Sequence, residues 1–191
     1  MKKIIIAVLA LAAAFALPAF ADETGERMAK TCAGCHGTNG ASPGDYIPTI
    51  GGQNEVYLEE TMAGYKQGAR PESVEMNLMA SGYTDEQLDS ISAWYAGKEW
   101  VSSDSKLEEF NVDASVELIE DTGCADCHMS DGTGVDEIPR IAGQNPGYLR
   151  EVLKRYKNGE IKSEEMSVMQ EVSEIEIRAL AAYYSALGRN K

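Results

Sequence analysis

All four cysteines and both histidines of the chain fall in two five-residue motifs, Cys32-Ala-Gly-Cys35-His36 and Cys124-Ala-Asp-Cys127-His128. Two residues between the cysteines put their thiols within reach of the two vinyl groups of a haem. The histidine that follows turns its imidazole toward the metal. A neutral imidazole nitrogen is a good donor to iron at neutral pH. Rival chemistries fit less well. A thioredoxin-type redox pair needs a βαβ setting, which the pattern lacks. A zinc site needs four protein ligands, and each motif offers three. Structural disulfides suit an exported chain, but they leave unexplained a histidine after each pair and nowhere else. Two covalently attached haem c groups are therefore expected. Cys32, Cys35, Cys124 and Cys127 bind the vinyls, and His36 and His128 bind the irons.

No histidine remains for the far side of either iron, and methionine is the usual alternative in electron-transfer cytochromes. Met129 adjoins His128 and cannot reach the opposite face. Met62 aligns with Leu153 in the repeat described below and reads as core. The remaining candidates are two doublets, Glu75-Met76-x-x-Met79 and Glu165-Met166-x-x-Met169. One member of each is expected to ligate iron and the other to fill core space, as the flexible thioether does well. Irons so ligated have no open position. That points to electron transfer and away from a peroxidase, which needs a displaceable distal ligand.

The elements that must position these residues are written twice. Gly52-Gln53-Asn54 recurs as Gly143-Gln144-Asn145, Tyr57-Leu58 as Tyr148-Leu149, Tyr65-Lys66-x-Gly68 as Tyr156-Lys157-x-Gly159, and Trp94-Tyr95 as Tyr183-Tyr184. Constant order and near-constant offset predict two homologous domains. Each copy reads as helical, giving an all-α fold of two tandem units, 22–102 and 103–191. Asn54 and Asn145 are expected N-caps, with Pro146 at the first helical position. Gly68 and Gly159 mark the ends of those helices. Thr84-x-x-Gln87 and Ser173-x-x-Glu176 are capping boxes. After them, Leu88, Ile91 and Tyr95, and Ile177, Leu180, Ala181, Tyr184 and Leu187, lie on one face. The charged stretch from Gly97 to Val112 is the connection, with a new helix expected near Asp113.

Residues 1–21 read as a secretory signal: Lys2-Lys3, an apolar run from Ile4 to Leu17, then Ala19-Phe20-Ala21 as the cleavage site. No later stretch is long and apolar enough to span a bilayer. The 191-residue chain has a formal charge of −14, and losing the two leader lysines takes it to −16. So acidic a surface argues against nucleic acid and anionic membranes and favours a basic partner.

With both motifs, the doublets and the capped helices in place, the sequence resembles the class I cytochromes c in their two-domain, dihaem form, over nearly all of the mature chain. The resemblance implies a pair of small helical domains around haems that lie close together. It supports Met76 and Met166 as the iron ligands, because the family places that methionine shortly before a capped C-terminal helix. It also implies that the Pro48 and Pro139 carbonyls accept hydrogen bonds from His36 and His128. Two branches fit. The run Met76-Asn-Leu-Met-Ala80-Ser-Gly82-Tyr83, and the passage from Trp94 to Cys124, look like the dihaem subunit of flavocytochrome c sulfide dehydrogenase. That likeness implies an exported, periplasmic protein accepting electrons from an FAD-bearing partner in sulfide oxidation, with no catalysis of its own. Ile138-Pro139-Arg140-Ile141-Ala142-Gly143-Gln144-Asn145 is shared with the free-standing cytochrome c4 group, whose members carry electrons between a quinol-oxidising complex and a terminal oxidase.

Overall fold

A computed structural model describes residues 25–189; the expected leader and its cleavage site lie outside them. Among the described residues there are only helices, turns and one isolated bridge, Val135 with Ile138. The helices are α1 (Ala33–His36), α2 (Glu55–Lys66), α3 (Val74–Ser81), α4 (Asp85–Ala96), α5 (Val112–Thr122), α6 (Cys124–His128), α7 (Pro146–Lys157) and α8 (Glu174–Ala186). Residues 25–29 are also helical, and a 3-10 segment, Glu165–Gln170, stands in the second half where α3 stands in the first.

Helix starts follow the local chemistry. Thr84 and Ser173 form complete capping boxes with Gln87 and Glu176, each satisfying two backbone donors that the helix leaves free. Pro146 opens α7, and Asn111 caps α5 by accepting from Ala114 N. α2 and α7 end just before Gly68 and Gly159, whose φ values of +69° and +70° no helix can continue through.

The apolar faces form two separate cores. In the first half, α2 packs on α3 and α4, burying Ala29, Leu58, Ile91 and Tyr95. In the second, α8 packs on α7 and α5, burying Ile119, Leu149, Met169, Val172, Ile177, Leu180, Ala181 and Tyr184. The Tyr95 hydroxyl donates to Ala29 O at 2.7 Å, tying the last helix of the first half to the helical segment before the haem motif. Gly52 N and Gly143 N donate to Tyr95 O and Tyr184 O at 2.8 and 2.9 Å. These two glycines are required. Both hold positive φ, and a Cβ on Gly52 would stand 2.7 Å from Trp100 N, one on Gly143 2.3 Å from Ser102 Oγ. The connection thus lies against both repeated loops.

One sequence expectation is corrected. Asn54 and Asn145 occupy N-cap positions, but neither side chain caps its helix. Each reaches into the other half instead. Asn54 Nδ2 donates to Ile138 O and Thr133 O, and Asn145 Nδ2 donates to Ile47 O and Gly44 O, at 2.6–3.4 Å. The glutamines before them cross as well. Gln53 exchanges two hydrogen bonds with the backbone of Arg140, and Gln144 two with the backbone of Thr49. Helix-start amides join the set, Tyr57 N to Asp136 O and Tyr148 N to Asp45 O. The Gly-Gln-Asn repeat is therefore a reciprocal clasp between domains. A buried amide that meets both a donor and an acceptor avoids the penalty of an unpaired polar group, and local capping could not have satisfied Gln53 and Gln144.

Candidate haem sites

Each motif is a short helix, which sets cysteines three residues apart on one face with the histidine one step further round. α1 runs into Gly37 at φ +75°, ψ +167°; α6 runs into Met129 at φ +64°, ψ +156°. Both chains thus leave the motif by the same sharp reversal. Gly123, in the left-handed conformation, separates α5 from α6. The four thiols are unpaired; Cys32 and Cys124 are half-buried, and Cys35 and Cys127 are exposed.

The histidines are buried, and their ring orientation is fixed. His36 Nδ1–H donates to Pro48 O at 2.9 Å, and His128 Nδ1–H donates to Pro139 O at 3.0 Å. A carbonyl can only accept, so Nδ1 carries the proton and Nε2 keeps its lone pair. Burial holds both rings below the usual histidine range, against the opposing effect of the proline carbonyls. The result at neutral pH is a neutral, oriented nitrogen donor beside two unpaired thiols, in two copies. These residues fit haem c: a thiol pair for its vinyls and one imidazole lone pair for its iron.

The four doublet methionines are not equivalent. Met76 on α3 and Met166 on the 3-10 segment are half-buried. Each donates its backbone N–H to a serine three residues earlier, Ser73 or Ser163, at 3.2 Å. Met169 is 1% exposed and lies in the second core, the packing role expected of one member. Met79 departs from that expectation. It is 43% exposed, because α3 turns Val74, Leu78 and Met79 outward on one face. In the second half Glu164 and the half-buried Val168 take the places of Val74 and Leu78, so that face is not apolar.

A second interdomain contact was not read from the sequence. Arg70 lies over the Tyr65 ring, 5.1 Å from its centroid, and Arg70 Nε pairs with Glu72 Oε1 at 2.6 Å; the Glu72 carboxylate side chain is 5% exposed and the half-buried Arg70 15%. Arg155 from α7 donates to the Glu72 carbonyl across the interface. Tyr57 and Tyr148, repeat partners, stand near Arg70 and each other. Burial raises the Tyr148 hydroxyl well above the usual phenol range, and that of Tyr156 to about 12, so these groups stay neutral hydrogen-bond donors. The tyrosines were visible as repeated residues, but Arg70 and Glu72 have no counterpart in the second copy and carried no pattern signal.

Comparison with known proteins agrees with this geometry. The cytochrome c family model matches residues 23–96 and 112–187. Cytochrome c4 of Pseudomonas aeruginosa is 27% identical over 178 residues, 85% of this chain and 87% of that protein. The cytochrome subunit of sulfide dehydrogenase from Chlorobaculum tepidum is 38% identical over 74 residues, 39% of this chain and 66% of that protein. The crystal structure of reduced recombinant cytochrome c4 from Pseudomonas stutzeri superposes with a TM-score of 0.72 at 25% identity, covering 86% of this chain and 97% of that one. A family model that fits each half, over two histidines and two thiol pairs arranged alike, places the chain in the cytochrome c family as a tandem of two helical domains with two covalent haem c groups.

Proposed function

We propose that this protein is a periplasmic two-haem electron relay, freed of residues 1–21 and divided into cytochrome units 22–102 and 103–191. It serves as the electron-accepting subunit of a flavoprotein dehydrogenase of the sulfide-oxidising type. Cys32 and Cys35 hold one haem and Cys124 and Cys127 the other, with His36 and Met76, and His128 and Met166, as axial ligands. Haem with these ligands supplies one-electron exchange, the thioether favouring the reduced state. The chain's own contribution is to orient each imidazole through a proline carbonyl, to fill both axial positions, and to hold the two units in one fixed arrangement through the Gln and Asn clasp.

The observation that carries the subunit reading is the apolar face of α3. Val74 and Leu78 are 65% and 70% exposed on the helix that bears Met76. Apolar side chains exposed on successive turns of one helix support a docking surface there, and the second-half counterpart lacks them. The likeness to a sulfide dehydrogenase subunit supports the same reading. Purification from the native source is the test. Co-elution with an FAD-containing protein, lost in Leu78→Asp while the haem absorption is kept, is the expected result. Elution alone under all conditions would favour a second reading, a free carrier of the cytochrome c4 kind, which the likeness to cytochrome c4 over both domains supports.

A further inference from the structure

The clasp between the domains ends on the histidines. Pro48 C=O and Thr49 N–H are the two ends of one peptide group. Its carbonyl accepts from His36 Nδ1–H at 2.9 Å, and its N–H donates to Gln144 Oε1 at 2.9 Å. In the other half, the Pro139 carbonyl accepts from His128 Nδ1–H at 3.0 Å, and the N–H of that same peptide, on Arg140, donates to Gln53 Oε1 at 2.7 Å. Each relay runs from imidazole through one peptide to a glutamine, and each glutamine belongs to the other domain. The glutamines are 4% and 3% exposed, so bulk water does not compete. Their orientation is set as well. Nε2 donates to the Arg140 or Thr49 carbonyl at 2.9 Å, and Oε1 also accepts from the following Asn54 or Asn145 N–H at 2.9 Å. Flipping either amide would set donor against donor.

We infer that Gln144 and Gln53 are crossed positioning residues that tune the haem of the opposite domain: Gln144 sets the donor strength of His36, and Gln53 that of His128. The inference rests on the reading of those histidines as iron ligands. Hydrogen bonds in a chain polarise one another. An acceptor on the peptide N–H draws negative charge onto the peptide carbonyl. That carbonyl then pulls harder on Nδ1–H, the ring gains basicity at Nε2, and the oxidised iron is favoured. Removing the glutamine weakens the relay and raises the reduction potential of the other domain's haem.

The test uses the intact holoprotein, with both midpoint potentials measured and each haem identified from its paramagnetically shifted NMR resonances. Gln144→Leu should raise the potential of the haem on Cys32 and Cys35, shifting its reduction equilibrium by up to about tenfold, the net worth of one hydrogen bond, and leave the other unmoved. Gln53→Leu should do the converse. Asn145→Ala is the control. It removes two crossing bonds without touching the Pro48–Thr49 peptide and should move neither potential. Gln144→Glu, a second variant should Leu not fold, keeps an acceptor on Thr49 N–H and should not raise the potential. Equal movement of both haems in Gln144→Leu, no movement in either, the same rise in Asn145→Ala, or a rise in Gln144→Glu would each overturn the proposal. Histidine–methionine absorption tests the ligand reading separately. If it persists in Gln144→Leu while the potentials stay put, the tuning idea fails alone; if it is absent in the wild type, the ligand reading fails.

Discussion

Gly37→Ala tests how tightly the exit from the first haem motif is built. Gly37 holds φ +75°, ψ +167°, a region strained for any residue with a side chain, at about 1–3 kcal/mol. A Cβ there would also stand 2.0 Å from Ala41 O and 2.8 Å from Ala41 C. Relieving that overlap requires Ala41 to retreat by more than an ångström. The movement breaks the 3.3 Å bond from Ala41 N to Thr38 O and disturbs the neighbouring one from Ser42 N to Thr49 Oγ1, each contributing about 1 kcal/mol. The lower freedom of alanine in the unfolded chain offsets about 0.4–1 kcal/mol. The balance is a loss of about 2–4 kcal/mol. Urea unfolding of the holoprotein, followed by haem-region circular dichroism, should show a clear fall in midpoint. Met129→Gly makes the reverse change at the equivalent position. There, release of strain is offset by glycine's flexibility and by what little packing the exposed Met129 side chain gives up, so stability should stay within about 1 kcal/mol. A Gly37→Ala midpoint equal to that of the wild type, or a Met129→Gly gain as large as the Gly37→Ala loss, would refute the argument.

Two further outcomes are expected. Met169→Ala should destabilise by about 2–5 kcal/mol through a cavity in the second core, whereas exposed Met79→Ala should change stability by about 0.5 kcal/mol or less; denaturant titration separates them. Met76→Ala should lower one haem potential and remove one iron–thioether absorption signature, while Met79→Ala leaves both; the opposite pattern would reassign the ligand.

Most of what positions the haems was legible because it repeats or follows local rules. The capping boxes at Thr84 and Ser173, the stops at Gly68 and Gly159, and the buried faces Leu88–Ile91–Tyr95 and Ile177–Leu180–Tyr184 depend on neighbours within one helical turn. The failures share one physical cause. Asn54 has the type and place of an N-cap, but the competing acceptors Ile138 O and Thr133 O lie some eighty residues away, and no local pattern reports them. Gln53 and Gln144 stood out as repeated, yet a glutamine amide has no preferred local partner and its role appears only when the domains meet. Met79 was expected to fill core space as the second member of its doublet, but the first half builds a regular helix where the second builds a 3-10 segment, and Met79 stands exposed where Met169 is buried.

The reciprocity of the clasp also gives the joint its symmetry. Gln53 with Arg140 and Gln144 with Thr49 are the same contact made twice, each patch serving as both sides of the joint. Interfaces of that kind are isologous, the form taken by symmetric homodimers. Two homologous units meeting through the same patch thus have the geometry of a dimer carried in one chain. Because the glutamines bond only to backbone atoms, the joint stays symmetric while the side chains differ, threonine at 49 and arginine at 140.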